Sequence, residues 1–299
     1  MRAWSSARWS IPLPEGHRFP MGKYRMIRDG LVARGVLPPE AIHEPDRVSR
    51  DALGLVHGAA YIDAIVDGTL SPAAVRRLGF PWKPLLPERS FRTVQGTLEA
   101  ARDALRLGAG INLAGGTHHA FPDHGEGYCV FNDVAVAIRV LAREGLVTRV
   151  AVIDLDVHQG NGTARIFVDD PDVYTFSMHG AKNYPFHKER SRLDVELEDG
   201  CDDRVYHDLL ERSLEQVLDD ARPDLVFYVA GADPYAGDRL GRLGLSFEGL
   251  RRRDAMVFDA CARRGLKVTM VLGGGYARDL EDVVTIHTTT VRELVARYG

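Results

Sequence analysis

The residues best suited to chemistry concentrate in Asp154-Leu155-Asp156-Val157-His158, directly after the apolar run Val150-Ala151-Val152-Ile153. Such a run reads as a buried strand of a parallel sheet, covered on both faces. Extended backbone alternates its side chains, so Asp154, Asp156 and His158 are expected on one side and Leu155 and Val157 on the other. Two carboxylates about 6.6–6.8 Å apart on one buried face cost several kcal/mol unless a cation meets them. Carboxylates plus an imidazole, in an incomplete protein shell, are what a divalent transition metal such as zinc accepts while keeping room for a reactive water.

Other reactive groups also stand where strands are expected to end. Ile111 to Ala114 reads as a strand running into Gly115-Gly116-Thr117-His118-His119, where paired glycines deliver adjacent histidines. Asp224 to Ala230 reads as a buried strand broken by Gly231-Ala232-Asp233-Pro234. Lys267 to Leu272 is followed in the same way by Gly273-Gly274-Gly275-Tyr276. In open parallel sheets, sites form beyond the carboxyl ends of strands, so these four segments are expected to converge.

The elements that must position them alternate strand with helix. Helices are expected over Met21–Arg34, Arg47–Asp67 (with His57 and Tyr61 one turn apart), Glu88–Leu107 and from Asn132-Asp133 to about Arg143. Further helices follow at Gly162–Val168, Asp202–Asp219, from Ser246 to Arg264, and up to the C-terminus, with a strand at Val173–Ser177. His57 reads either as a core histidine or as a group behind the site. The Gly79-Phe80-Pro81-Trp82 loop reads as a pocket rim or a packed surface loop, and His179–Gly200 as one long irregular loop, functional or solvated. The alternation, unbroken by any change in composition, predicts an α/β fold of one domain over residues 1–299, an open parallel sheet with helices on both faces.

Composition narrows the function. A net charge of -4 and a pI near 6.3 provide no general basic surface for nucleic acid. No apolar run reaches membrane-spanning length, and Met1 to Pro14 lacks the apolar core of a secretory signal, so a soluble cytoplasmic protein is expected. Cys129, Cys201 and Cys261 are odd in number and without C-x-x-C spacing, which argues against a disulfide framework.

Five segments, taken together and in order, carry a resemblance. Gly115-Gly116-Thr117-His118-His119, Gly127-Tyr128-Cys129-Val130-Phe131-Asn132-Asp133, Asp154-Leu155-Asp156-Val157-His158, Gly231-Ala232-Asp233-Pro234 and Gly273-Gly274-Gly275-Tyr276 resemble the zinc-dependent histone deacetylase family across nearly the whole chain. Gln159-Gly160-Asn161-Gly162 and the Gly79–Trp82 loop look most like its class IV branch and bacterial relatives.

The resemblance implies the arginase/deacetylase fold and a zinc ion, or Fe2+, held by Asp156, His158 and Asp233. It implies His119 as the base and His118 as its electrostatic partner, the first histidine leaning on Asp154 and the second on Asn161. Tyr276 would donate to the substrate carbonyl. A structural potassium ion would sit at Asp154, Ser177 and the carbonyls of Asp156, His158 and Met178. Gly127 and Tyr128 would flank an acyl-lysine channel, with Tyr184 or Phe186 opposite and Gly274 beside it. Some branches have Asp where this chain has Asn161; an amide orients an imidazole but supplies no negative charge, so His119 is expected to be less basic here.

The activity so implied is hydrolysis of an Nε-acyl-lysine amide in a protein or peptide. A small acylated amine such as an acetylpolyamine is the alternative substrate, and a non-catalytic acyl-ligand scaffold the alternative class. A binuclear manganese hydrolase of the arginase type would need further carboxylates, which Pro234-Tyr235 does not supply. Association into an oligomer stays open.

Overall fold

In the computed structural model, which describes residues 1–299, the apolar runs form one sheet of eight parallel strands. They are β1 (Ala3–Trp4), β2 (Ile42–His43), β3 (Ala109–Asn112), β4 (Val150–Asp154), β5 (Val173–Gly180), β6 (Leu193–Leu197), β7 (Leu225–Val229) and β8 (Lys267–Val271). Their order across the sheet is β2-β1-β3-β8-β7-β4-β5-β6. Every residue of β3, β4, β5 and β7 is buried, which requires cover on both faces.

The helices are α1 (Lys23–Ala33), α2 (Arg50–Leu53), α3 (Ala59–Asp67), α4 (Pro72–Leu78), α5 (Leu85–Leu107), α6 (Asp133–Arg143), α7 (Asn161–Phe167), α8 (Asp203–Ala221), α9 (Phe247–Arg263) and α10 (Leu280–Tyr298). Helix α5 lies on β3 and β8 and packs against α6, while α8 lies on β4 and β5 and α9 joins α8 to α10. This is the expected α/β fold, a parallel sheet flanked by helices.

Register places the site. Asn112 of β3, Val271 of β8, Val229 of β7, Asp154 of β4 and Ser177 of β5 stand level across five adjacent strands. The loops that leave these strands therefore rise from one line, which is why segments far apart in sequence meet.

Several elements depart from the sequence expectations. The strand reading of Asp154 to His158 ends at Asp154, where β4 stops; the next residues form bends held by two successive bonds, Asp156 N–H to Asp154 Oδ1 (3.1 Å) and His158 N–H to Asp156 Oδ1 (3.0 Å). Asp side chains capture the backbone two residues on, and that replaces the ladder. The loop expected at His179–Gly200 contains the end of β5 and all of β6, leaving a shorter connection that carries Tyr184. The helix expected over Arg47–Asp67 is two, α2 and α3, because the stretch around Gly54 to Gly58 turns. Helix α5 starts before Glu88, with Pro87 in the first turn, where its missing N–H costs nothing. Strands β1 and β2 are two residues each, too short to show a period.

Candidate active site

Each candidate side chain follows the carboxyl end of a central strand. His118 and His119 follow β3, Asp156 and His158 follow β4, Asp233 follows β7 and Tyr276 follows β8, and all are buried. One ligand atom each from Asp156, His158 and Asp233 falls within 4.8 Å of the others. His158 Nδ1 stands 3.0 Å from Asp156 Oδ1 and 3.2 Å from Asp233 Oδ2. Asp233 Oδ1 accepts from Val157 N–H (3.0 Å), whereas its Oδ2 is buried without a hydrogen-bond partner. Such an orphaned carboxylate oxygen beside a second carboxylate and an imidazole nitrogen fits a divalent cation, which would satisfy it.

The glycine run after β8 makes this approach feasible. Gly274 N–H donates to Asp156 Oδ2 (2.6 Å), and a Cβ at Gly274 would fall 1.8 Å from Asp233 Oδ2. Only a residue without a side chain fits. Gly274 thus lies beneath the carboxylates and does not line the cleft as the sequence reading had it.

The histidine pair is split electrically. His118 Nδ1 meets Asp154 Oδ2 at 2.6 Å, and its pKa is raised to about 9: burial opposes the charge, but Asp154 and Asp156 outweigh it. His119 Nδ1 meets Asn161 Oδ1 at 2.7 Å, and burial, then the neighbouring His118 and His158, hold it well below the usual histidine range. Burial opposes charge on His158 too, yet Asp156 and Asp233 raise it to about 10, while burial and Asp156 push Asp233 up to about 6. The three carboxylates Asp154, Asp156 and Asp233 and the two proton-holding imidazoles His118 and His158 thus form one buried cluster whose charges largely offset one another.

Tyr276 faces the same space. Its N–H donates to Asp238 Oδ2 (2.6 Å), its carbonyl accepts from Arg239 Nε (2.9 Å), and its ring centroid lies 6.3 Å from that of His158.

A model of the histone deacetylase domain matches residues 17–291. The chain belongs to the histone deacetylase family. An uncharacterised protein of Picosynechococcus sp. is 47% identical over 93% of this chain and 92% of its own length. Histone deacetylase 2 of Arabidopsis thaliana is 34% identical over 90% of this chain and 72% of its own. The crystal structure of a histone deacetylase homologue from Aquifex aeolicus superposes with a TM-score of 0.84 at 22% identity, covering 99% of this chain and 84% of that one. Membership gives this deacetylase its hydrolase class.

Above the buried cluster the deacetylase has a cleft of about 510 Å³, lined among others by His119, Gly127, Tyr128, His158, Tyr184, Phe186 and Tyr276. Tyr184 forms one wall, its ring 5.0 Å from that of His119, and Phe186 stands out at the mouth, 81% exposed. Tyr128 forms another, 5.4 Å from Phe80 and 6.2 Å from Tyr276. It holds its place at φ 68°, a left-handed conformation costly for an aromatic residue, after Gly127 at φ 56°. A Cβ on Gly127 would come within 2.6 Å of the His119 ring. Of the Gly79–Trp82 loop, Gly79 reaches the cleft, while Trp82 donates to Ile65 O (2.9 Å) and anchors the loop to α3.

Asp154 and Ser177 face each other in the β4–β5 register, both buried, with the Ser177 hydroxyl 2.9 Å from His179 Nδ1 and Met178 buried between them in sequence. His57 is a buried positioning group: its Nδ1 donates to Phe121 O and its Nε2 accepts from Asn132 N–H, both at 3.0 Å. Tyr61 donates to Val130 O (2.6 Å), so the two residues clamp the loop that carries Gly127 and Tyr128.

Four supporting residues escaped the sequence reading. Asp133, read as a helix opener at the end of the Gly127–Asp133 segment and given no role at the site, accepts from the Gly116 and Thr117 N–H groups and the Thr97 hydroxyl, fixing the turn that leads to the histidines. Glu126 accepts from Asn161 Nδ2 (2.7 Å), placing a carboxylate one amide away from His119. Lys23 is fully buried; its ammonium donates to Gly273 O (3.2 Å) and lies 5.4 Å from the Tyr276 ring. Arg253 is also fully buried and donates to Gly231 O (2.6 Å) and Leu155 O (3.3 Å), in the loops that carry Asp233 and Asp156. For Arg253 the signal was hidden, since it stands in the charged run Arg251-Arg252-Arg253-Asp254, where nothing in the sequence sets it apart from its neighbours.

Proposed function

We propose that this deacetylase hydrolyses the amide of an Nε-acyl-lysine side chain, yielding a carboxylate and the free amine. The observation that carries the reading is the meeting of Asp156, His158 and Asp233 beneath a cleft walled by Tyr128 and Tyr184. On this reading zinc, or Fe2+, is held by Asp156, His158 Nδ1 and Asp233; when bound, such an ion acidifies a coordinated water and polarises a carbonyl.

His119, kept neutral by burial and by its charged neighbours, takes the water's proton at Nε2 and returns it to the departing nitrogen. Asn161 holds that tautomer by accepting from Nδ1–H. His118 stays protonated over Asp154 and stabilises negative charge as it develops. Tyr276 donates its hydroxyl to the carbonyl oxygen, and the lysine stem passes between Tyr128 and Tyr184. Asp154, Ser177 and the carbonyls of Asp156, His158 and Met178 are assigned to a structural potassium ion, a reading supported by the level register of Asp154 and Ser177. The class IV reading is supported by the Gln159–Asn161 turn, in which Gln159 ties the site to Glu189 and Asp194.

The test is hydrolysis of acetyl-, short-chain and long-chain acyl-lysine peptides by zinc- or iron-loaded protein. Tyr276→Phe is expected to lower kcat by ~10²–10³ with metal content unchanged. Full activity in that variant removes Tyr276 from the chemistry, and metal-loaded protein that binds but never cleaves is a scaffold.

A further inference from the structure

The mouth of the cleft is rimmed by six cations, Arg18, Arg76, Arg77, Lys182, Arg239 and Arg242, and no carboxylate lines it. All six are exposed, and they arrive from separate segments: the chain ahead of α1, the last turn of α4, the connection after β5 and the loop between β7 and α9. This is unusual in a chain whose formal charge is -4. Elsewhere on the surface guanidiniums meet carboxylates closely, as Arg264 does Glu215 and Asp219 and Arg297 does Asp259 and Glu293.

At the rim, Arg242 and Lys182 have only loose partners, Asp199 at 3.3 Å and Glu198 at 3.6 Å. Arg239 donates to the main-chain oxygens of Tyr276 and Arg18. Arg18, Arg76 and Arg77 form no ion pair within the chain. The cations act on the walls: burial raises the Tyr128 phenol while Arg18 and Arg239 work against it, and Arg77 does the same at Tyr184. Like charges gathered around a concave entrance repel one another and focus a positive field outward, a cost that an anionic ligand offsets.

We propose that the substrate is an acyl-lysine set in an acidic peptide segment, whose Asp or Glu side chains dock on this rim while the acylated stem enters between Tyr128 and Tyr184. This rests on the lysine-deacylase reading above and deepens it. The same rim disfavours polycations, so an acetylpolyamine is a poor substrate.

The experiment compares three acetyl-lysine peptides of equal length, flanked by Asp/Glu, by Ser/Ala or by Lys/Arg, together with N-acetylspermidine, on the metal-loaded full chain. At low salt, kcat/KM is expected to fall in that order, by ~10²-fold from acidic to basic flanks, mostly through KM. In 1 M salt, with a Debye length of ~3 Å, the spread should shrink to a few-fold. Arg76→Glu with Arg77→Glu, two exposed positions on α4, should cut the acidic-to-neutral ratio at least tenfold, with circular dichroism reporting an intact fold. Flank-independent rates, a preference for basic flanks, or a spread that survives high salt overturns the rim assignment alone. Cleavage of none of the peptides overturns the lysine reading, and the rim assignment falls with it.

Discussion

Asn161 works between two groups, the His119 imidazole and the Glu126 carboxylate, that the sequence reading did not connect. Its Oδ1 orients His119 and its Nδ2 is held by Glu126, so the amide cannot rotate without losing both bonds. The carboxylate also polarises the amide, a cooperative effect that strengthens Oδ1 as an acceptor. Placing Asp at 161 alone would press two carboxylates together, and they would share a proton. The informative variant is therefore Asn161→Asp in a Glu126→Gln background. A full negative charge beside the imidazole raises the His119 pKa, and protonated His119 cannot accept a proton. The acidic limb of kcat/KM is thus expected to move to higher pH by about one unit or more relative to Glu126→Gln alone. A limb that stays where it was would contradict the role given to His119.

Helix α9 reaches the site through a single buried side chain. Arg253 donates to the carbonyls of Gly231 and Leu155 and pairs with Asp254 (Nε to Oδ1, 2.9 Å), which also accepts from Tyr228 and, at 2.6 Å, from Thr290 of α10. One guanidinium therefore ties the loops after β4 and β7 to two helices. Arg253→Met leaves the Asp254 charge and both carbonyls without that partner, at a cost of about 3–5 kcal/mol. The Tm is expected to drop by about 5–8 °C, and metal affinity to fall, because Asp156 and Asp233 lose their common support. Asp254→Asn added to Arg253→Met should recover part of the stability by removing the stranded charge. If Arg253→Met melts with wild-type Tm and binds metal normally, the clamp is not structural.

Over the whole molecule, folding requires His57 to stay neutral. Its Nδ1–H donation and Nε2 acceptance are incompatible with a second proton, and burial, against the pull of the Phe121 and Pro122 backbone, lowers its pKa from 6.5 to about 4. Below pH 6.5 the unfolded chain takes up a proton that the folded chain refuses. The stabilisation is complete above pH 6.5 and is lost as pH falls toward 4, at up to 1.36 kcal/mol per pH unit, or about 3 kcal/mol in all. Denaturant midpoints at pH 7.5 and 4.5 should therefore differ less in His57→Gln than in wild type, by roughly 2–3 kcal/mol once converted to free energy. Equal pH losses in the two proteins would show that His57 titrates normally. No helix of the chain is long and apolar enough to cross a membrane.

The sequence by itself determined which strands are buried and which residues stand at their ends, because both signals are local: an apolar run of strand length, then glycine and a polar group. That is why Asp156, His158, Asp233, the histidine pair and Tyr276 were legible before any coordinates. Tertiary structure alone decided what meets what. The order β3-β8-β7-β4 sets four distant loops side by side, and nothing within any one loop encodes its neighbour. Glu126, Asp133, Lys23 and Arg253 were hidden for the same reason, since each acts on backbone or amide groups contributed by another segment. The cationic rim belongs with them: its six charges are scattered along the chain, and only folding gathers them around one opening.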